Sequence, residues 1–229
     1  MAMTQEPNEA SIVYVVDDDT MVHRSMRWLL ESEDYQVETF ESGEAFLQAV
    51  SPSARGCLVL DIAMPGISGL RVQAEMNERG YSLPIIIVSG HGDIPDAVQS
   101  MQAGSLTFIQ KPIDDAELVR WIAEAFAIDA NRRERGERQM KEWEKYLKLT
   151  WRERQVLWLV IEGKPNKQVA GDLNLAEKTI EFHRANLMKK LQVYNLADLV
   201  RTAIEIEAVL KQRDLSREHD PRDAGEGRG

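Results

Sequence analysis

Ile12-Val13-Tyr14-Val15-Val16-Asp17-Asp18 is an apolar run closed by two carboxylates. The same pattern returns three times. Leu58-Val59-Leu60 ends in Asp61, Ile85-Ile86-Ile87-Val88 ends in Ser89, and Leu106-Thr107-Phe108-Ile109-Gln110 ends in Lys111-Pro112. Uninterrupted apolar runs of this length read as strands buried on both faces, as in a parallel sheet. Such sheets bind ligands just beyond the carboxyl ends of their strands, where the strand order reverses. The four ends therefore predict one cluster of three carboxylates, a hydroxyl and an ammonium. Close carboxylates repel unless a cation sits among them, and Mg²⁺ favours a few carboxylates plus phosphate oxygens. Lys111 can neutralise a phosphoryl oxygen as a compact charge, and Ser89 can donate a hydrogen bond to another. No His or Cys stands out as the nucleophile, so an Asp carboxylate is the candidate phosphoryl acceptor.

Helical stripes fill the spaces between these runs. Met21–Glu33 carries Val22, Met26, Leu29 and Leu30 on one face, and Gly43–Val50, Gly69–Arg79, Asp96–Ala103 and Ile113–Ala127 follow. Tyr35–Phe40 alternates as a short strand. Five strands interleaved with five helices predict an α/β fold, a doubly wound five-stranded parallel sheet, over 10–127. Residues 128–148 are dense in charge and read as a solvated helical linker. Met140, Trp143 and Leu147 fall at helical spacing there and could pair two chains, but three residues do not make a coiled coil. Beyond 149 the strands disappear. Four helical segments, broken at Gly163/Pro165, Asn174 and Val193–Asn195, predict an all-α domain over 149–211. The polar, Gly-rich residues 212–229 are expected to be disordered.

The 229-residue chain is long enough for two cores. It has no run approaching a membrane span, and Met1–Ala10 lacks the features of a signal peptide. A single cysteine, Cys57, argues for a reducing compartment and hence the cytoplasm. Charge is uneven: through Ala127 there are 20 acidic and 7 basic residues, and from Ile128 onward 18 acidic and 21 basic. The first half suits a cation site, and the second permits nucleic acid without demanding it.

Asp17-Asp18, Asp61 followed by Met64-Pro65-Gly66, Ser89 and Lys111-Pro112 together resemble the receiver domain of bacterial two-component response regulators. The resemblance implies that Asp61 is the phospho-acceptor. It also implies that Asp17, Asp18, Asp61 and the backbone carbonyl of Ala63 hold Mg²⁺, and that the Lys111–Pro112 peptide is cis. Asp19 directly follows the acidic pair and reads as the cap of the next helix. Phe108 reads equally as core packing and, by the resemblance, as an aromatic switch that turns inward when Ser89 moves to the phosphoryl group. His91, just past Ser89, reads as a loop residue tuning access.

In the second domain, Thr150 with Glu153 forms a capping-box signature. Ala176–Leu191 places Ile180, Leu187 and Leu191 on one face and Lys178, Phe182, Ala185 and Lys189 on the other, with Glu181 at the edge. An amphipathic surface helix would look the same. However, Gly163, Asn166-Lys167, Val169-Ala170, Leu173, Thr179-Ile180, His183-Arg184, Asn186 and Lys190-Leu191 resemble the four-helix DNA-binding domain of the LuxR/NarL type. With a receiver in front, the whole chain resembles the FixJ subgroup of response regulators. That resemblance aims Lys178, Glu181, Phe182 and Ala185 at bases and Lys167, Thr179, Arg184, Lys189 and Lys190 at phosphates. Trp151 departs from the family, which often has Pro there.

The resemblance implies a transcription factor, with activation expected, rather than a metabolic enzyme. A histidine kinase phosphorylates Asp61, two receivers pair, and two helix-turn-helix modules engage promoter DNA, with RNA polymerase as a further partner. Only self-phosphorylation and slow self-dephosphorylation are expected as catalysis. A phosphohydrolase with an Asp nucleophile commonly carries a second Asp two positions on, where this chain has Ala63. A phosphorylation-independent adaptor is disfavoured by the complete acidic and Lys set.

Overall fold

The computed structural model describes residues 11–90 and 94–218, with side chains as far as residue 211. His91 and residues 219–229 lie outside the described residues. The chain divides into two compact units at Arg132/Arg133.

The first unit is a parallel sheet in the order β2-β1-β3-β4-β5. Its strands are β1 (Ile12–Val16), β2 (Gln36–Phe40), β3 (Gly56–Asp61), β4 (Ile85–Ser89) and β5 (Thr107–Gln110). The helices between them are α1 (Thr20–Ser32), α2 (Gly43–Ala49), α3 (Gly69–Glu78) and α4 (Ile94–Gln102). This is the doubly wound order with its reversal between β1 and β3. Register explains the uninterrupted apolar runs. Val13 and Val15 of β1 join one core with Leu30, Leu118 and Ile122, while Tyr14 and Val16 join the other with Phe46, Val72 and Met76. Because helices cover both faces, both parities of each strand are buried.

Local chemistry starts the helices where expected. Asp19 caps α1 by accepting from the Met21 amide at 2.8 Å, and Ser42 and Ser68 cap α2 and α3. α4 is built differently: its only buried residue is Ser100, while Ile94, Val98 and Met101 are exposed. Polar bonds from α3 hold it instead. The Gln73 amide donates to the Ser100 carbonyl at 3.0 Å, and Asn77 donates to the Ala103 carbonyl at 3.0 Å.

Helix α5 runs Asp115–Leu147, well past the expected end at Ala127. The charged residues that suggested a solvated linker are good helix formers, and no Pro interrupts them. Parts of this stretch are core. Asp129 is buried and accepts from the Gly56 amide at 3.1 Å in the first unit. Trp143 and Tyr146 are buried in the core of the second unit, so Trp143 is not available to pair two chains.

The second unit continues with α6 (Trp151–Ile161), α7 (Asn166–Leu173), α8 (Glu177–Leu191) and α9 (Leu196–Glu218). α9 carries the helix beyond 211 into the stretch expected to be disordered. No Gly or Pro occurs between Lys211 and Glu218 to stop it. Val156, Leu157, Val160, Val169, Ile180, Leu187, Leu191, Leu199 and Ile206 form its core.

Gln73 is fully buried, and its Oε1 has no hydrogen-bond partner. The Ser100 carbonyl also accepts from the Ser105 amide at 3.1 Å, so it does not depend on Gln73. Gln73→Leu therefore removes an unsatisfied oxygen without creating another. It is expected to raise stability by about 1 kcal/mol, read as a higher midpoint in urea.

Candidate phosphoryl site and nucleic-acid interface

The strand ends converge as the sequence requires. Asp17 and Asp18 follow β1, Asp61 ends β3, Ser89 ends β4 and Lys111 follows β5. Asp17 is 3% exposed and Asp61 6%. Carboxylate oxygens of Asp17, Asp18 and Asp61 lie within 4.8 Å of one another, with Asp18 the exposed member. Lys111 Nζ donates to Asp17 Oδ2 at 2.8 Å and to Asp61 Oδ2 at 2.8 Å. Burial alone would lower the Lys111 pKa, but the hydrogen bonds to these carboxylates outweigh it and hold the ammonium above its ordinary value.

Both carboxylates are also steadied by amides. Asp17 Oδ1 accepts from Asp19 N at 2.9 Å, and Asp61 Oδ1 accepts from Ala63 N at 3.3 Å. Ser89 is buried, and its carbonyl accepts from the Lys111 amide at 2.8 Å, fixing the start of the loop. The Lys111–Pro112 peptide is cis. Phe108 is half-buried against the core that contains Tyr14, Leu58 and Ile87.

The loop after β3 is closed tightly. The Gly69 amide donates to the Ile62 carbonyl at 3.0 Å, and a Cβ on Gly69 would collide with the Asp61 carbonyl oxygen. Only glycine permits that approach. The group has all-oxygen donors, no imidazole or thiolate, and more carboxylates than the single ammonium neutralises. That donor set fits a hard divalent cation such as Mg²⁺.

In the second unit, α7 and α8 are joined through Asn174, whose φ of 52° turns the chain. Its left-handed conformation ends α7 as a C-cap, and Leu175 N donates to the Ala170 carbonyl at 2.9 Å. α8 buries Ile180, Leu187 and Leu191. Lys178, Glu181, Phe182, Ala185 and Lys189 are exposed, as is Lys167 on α7, while Thr179 is half-buried. Phe182 stands 63% exposed.

Two expected phosphate contacts point elsewhere. Lys190 Nζ donates to the buried Glu153 Oε2 at 2.7 Å, and Arg184 Nη1 donates to Asn166 Oδ1 at 3.1 Å. Lys190 is thus a partner for a buried carboxylate, which would otherwise be left uncompensated.

Glu153 is the residue whose weight the sequence did not convey. The capping box marked it, and the box is present: Glu153 Oε2 accepts from Thr150 N at 2.7 Å, and Thr150 Oγ1 accepts from Glu153 N at 3.3 Å. Its burial to 3% and its bond to Lys190 required the fold. Trp151, beside it, is exposed.

Residues 13–123 match the response regulator receiver domain, and residues 147–203 match the bacterial regulatory proteins of the luxR family. The response regulator TodT of Pseudomonas putida is 41% identical over 204 residues, covering 89% of this chain and 90% of that protein. This chain is a two-component response regulator. The transcriptional regulatory protein FixJ of Azorhizobium caulinodans is 39% identical over 196 residues, covering 86% of this response regulator and 93% of the relative. Among solved structures, the response regulator StyR superposes with a TM-score of 0.76 at 41% identity, over 86% of this chain and 99% of that one. Full-length FixJ from B. japonicum gives 0.54 at 35% identity, over 85% and 96%. Response regulators of this type work with sensor kinases and DNA through these two domains. No helix among the described residues is long and apolar enough to cross a membrane.

The bonds to Glu153 give its response regulator domain a defined acid sensitivity. Burial raises the Glu153 pKa, but the Lys190 ammonium and the Thr150 amide and hydroxyl outweigh it, so the folded value lies below the ordinary 4.5. The unfolded chain takes up the proton first as pH falls. The stabilisation is therefore complete above the ordinary value and is lost as pH falls through the depressed one. Glu153→Gln should melt below the native chain at pH about 7, and the gap should narrow as pH approaches about 4.

Proposed function

We propose that Asp61 accepts a phosphoryl group from a sensor histidine kinase, and that this controls dimerisation and sequence-specific DNA binding that activates transcription in the cytoplasm. The observation that carries the reading is the Lys111 ammonium, held 2.8 Å from both Asp17 and Asp61. In that position it orients the Asp61 carboxylate and neutralises charge that arrives with a phosphoryl group. Asp61 attacks phosphorus, the bond from phosphorus to the donor histidine nitrogen breaks, and the imidazole leaves. Asp17, Asp18, Asp61 and the Ala63 carbonyl would hold Mg²⁺, which supplies charge neutralisation at the phosphoryl oxygens when bound. A groove of about 400 Å³ is lined by Val22, Met26, Trp28, Leu29, Lys111 and Pro112 and suits the donor's approach.

In this reading Ser89 donates to the phosphoryl group and Phe108 follows it inward. The exposed stripe of Ile94, Val98 and Met101 on α4 supports pairing with a second copy. Domain boundaries are read as a receiver over 10–127, a connecting stretch over 128–148 that sets module spacing, and a DNA-binding domain over 149–211. Pairing raises the effective concentration of the second module at its half-site, so a module of modest positive charge suffices. Lys178, Glu181, Phe182 and Ala185 face bases, with Glu181 able to accept from a cytosine amino group. Lys167, Thr179 and Lys189 approach phosphates. RNA polymerase is the expected partner once the dimer is seated on the promoter.

Sedimentation equilibrium tests the switch. Mg²⁺ with beryllofluoride, a phosphoryl mimic, should shift the full chain from monomer to dimer, and Asp61→Asn should abolish the shift. An unchanged monomer or a constitutive dimer would sink phosphorylation-driven pairing. On DNA, Lys189→Ala should weaken binding about equally on all sequences and lower the salt slope by about 1, whereas Lys178→Ala should relax specificity at one base position.

A further inference from the structure

The loop that follows Asp61 is anchored by a residue from a distant part of the chain. Glu44, in the first turn of α2, places its Oε1 3.1 Å from the Ile67 amide, which donates to it. Gly66, with φ of 83°, lies so close that a Cβ there would sit 2.7 Å from the same oxygen. Phosphoryl chemistry does not use Glu44 directly. It contacts neither Asp61 nor Lys111 through any bond described above.

Its effect is on the loop. The loop is closed by the Gly69 amide on the Ile62 carbonyl, and its start is held by the Asp61 carboxylate on Ala63 N. Between these ties, residues 64–68 have Glu44 as a side-chain anchor from outside the loop. Ser68 faces the other way and caps α3 through Arg71 N. Removing the Glu44 acceptor would leave the Ile67 amide to water and loosen the peptide planes around it. The Ala63 carbonyl, proposed above as a metal ligand, lies one turn of chain upstream. Metal ligands depend on such outer partners for their orientation.

We infer that Glu44 is a positioning residue for the phosphoryl site, setting the loop that presents the Ala63 carbonyl to a divalent cation. The inference rests on the metal-site reading given above. Its basis is geometry, because an acceptor held on an amide acts the same way in Glu and Gln.

The test is a titration of the full chain with Mn²⁺ as a paramagnetic stand-in for Mg²⁺, read from the free-ion resonance signal. Glu44→Ala should weaken binding by about tenfold. Glu44→Gln, which keeps the acceptor oxygen, should stay near the native value. Glu41→Ala removes the same charge from an exposed neighbour without a loop bond, and should also stay near it. Thermal melting in chelator should be alike for all four proteins.

Binding by Glu44→Ala equal to the native chain, or equal loss in Glu41→Ala or in Glu44→Gln, would overturn the role of Glu44. Asp18→Asn separates this from failure of the site itself. If the native chain and Asp18→Asn bind Mn²⁺ alike, the metal-site reading is wrong and the Glu44 inference falls with it.

Discussion

Three carboxylates drawn to within 4.8 Å, two of them buried, would drive the strand ends apart if nothing opposed their repulsion. The Lys111 ammonium opposes it. It sits between Asp17 and Asp61, which stand at the ends of adjacent strands, and it arrives from the far edge of the sheet. The loop after β5 must therefore hold Lys111 in place, and the loop after β3 must close tightly enough to keep Asp61 facing it. Gly69, the amide of Ala63 and the covering helices on both faces all serve that arrangement. One ammonium still leaves the cluster short of positive charge. That imbalance suits the site to a hard divalent cation.

The second unit solves a related problem in a different way. Glu153 is as buried as Asp17 and Asp61 of the first unit, but its carboxylate is serviced from within, by the Thr150 amide and the Lys190 ammonium. No ligand is needed to balance it. One buried carboxylate system is left incomplete and chemically open, and the other is closed and structural. The closed one ties the start of α6 to the end of α8, the helix that carries the exposed Lys178, Phe182 and Lys189 face. Orientation of that face thus depends on a bond at its back.

Much of this was legible because it is local or periodic. The strands could be read since burial on both faces leaves an uninterrupted apolar signature, and the strand-end residues followed from the geometry of parallel sheets. The α6 start could be read because a capping box spans four consecutive residues. What was missed lies in long-range pairings. Asp129 looked like one charge among many, yet it accepts from Gly56, 73 positions away. Lys190 looked like a phosphate contact, yet its partner is 37 positions away. Trp143, at helical spacing with Met140 and Leu147, looked able to pair two chains, whereas its indole belongs to the core of the second unit. The stretch over 128–148 is helical as expected, but it continues α5 without a break and is partly buried rather than solvated, and the last helix runs on to Glu218.

α4 is fastened by amide-to-carbonyl bonds and buries a serine, while its aliphatic residues face outward. Displacing such a helix exposes little new apolar surface, so the displacement itself carries a small heat-capacity change. Covering Ile94, Val98 and Met101 with another surface carries a negative one. A displacement of α4 would therefore add little curvature with temperature, and strong curvature would be the mark of a surface covering this stripe.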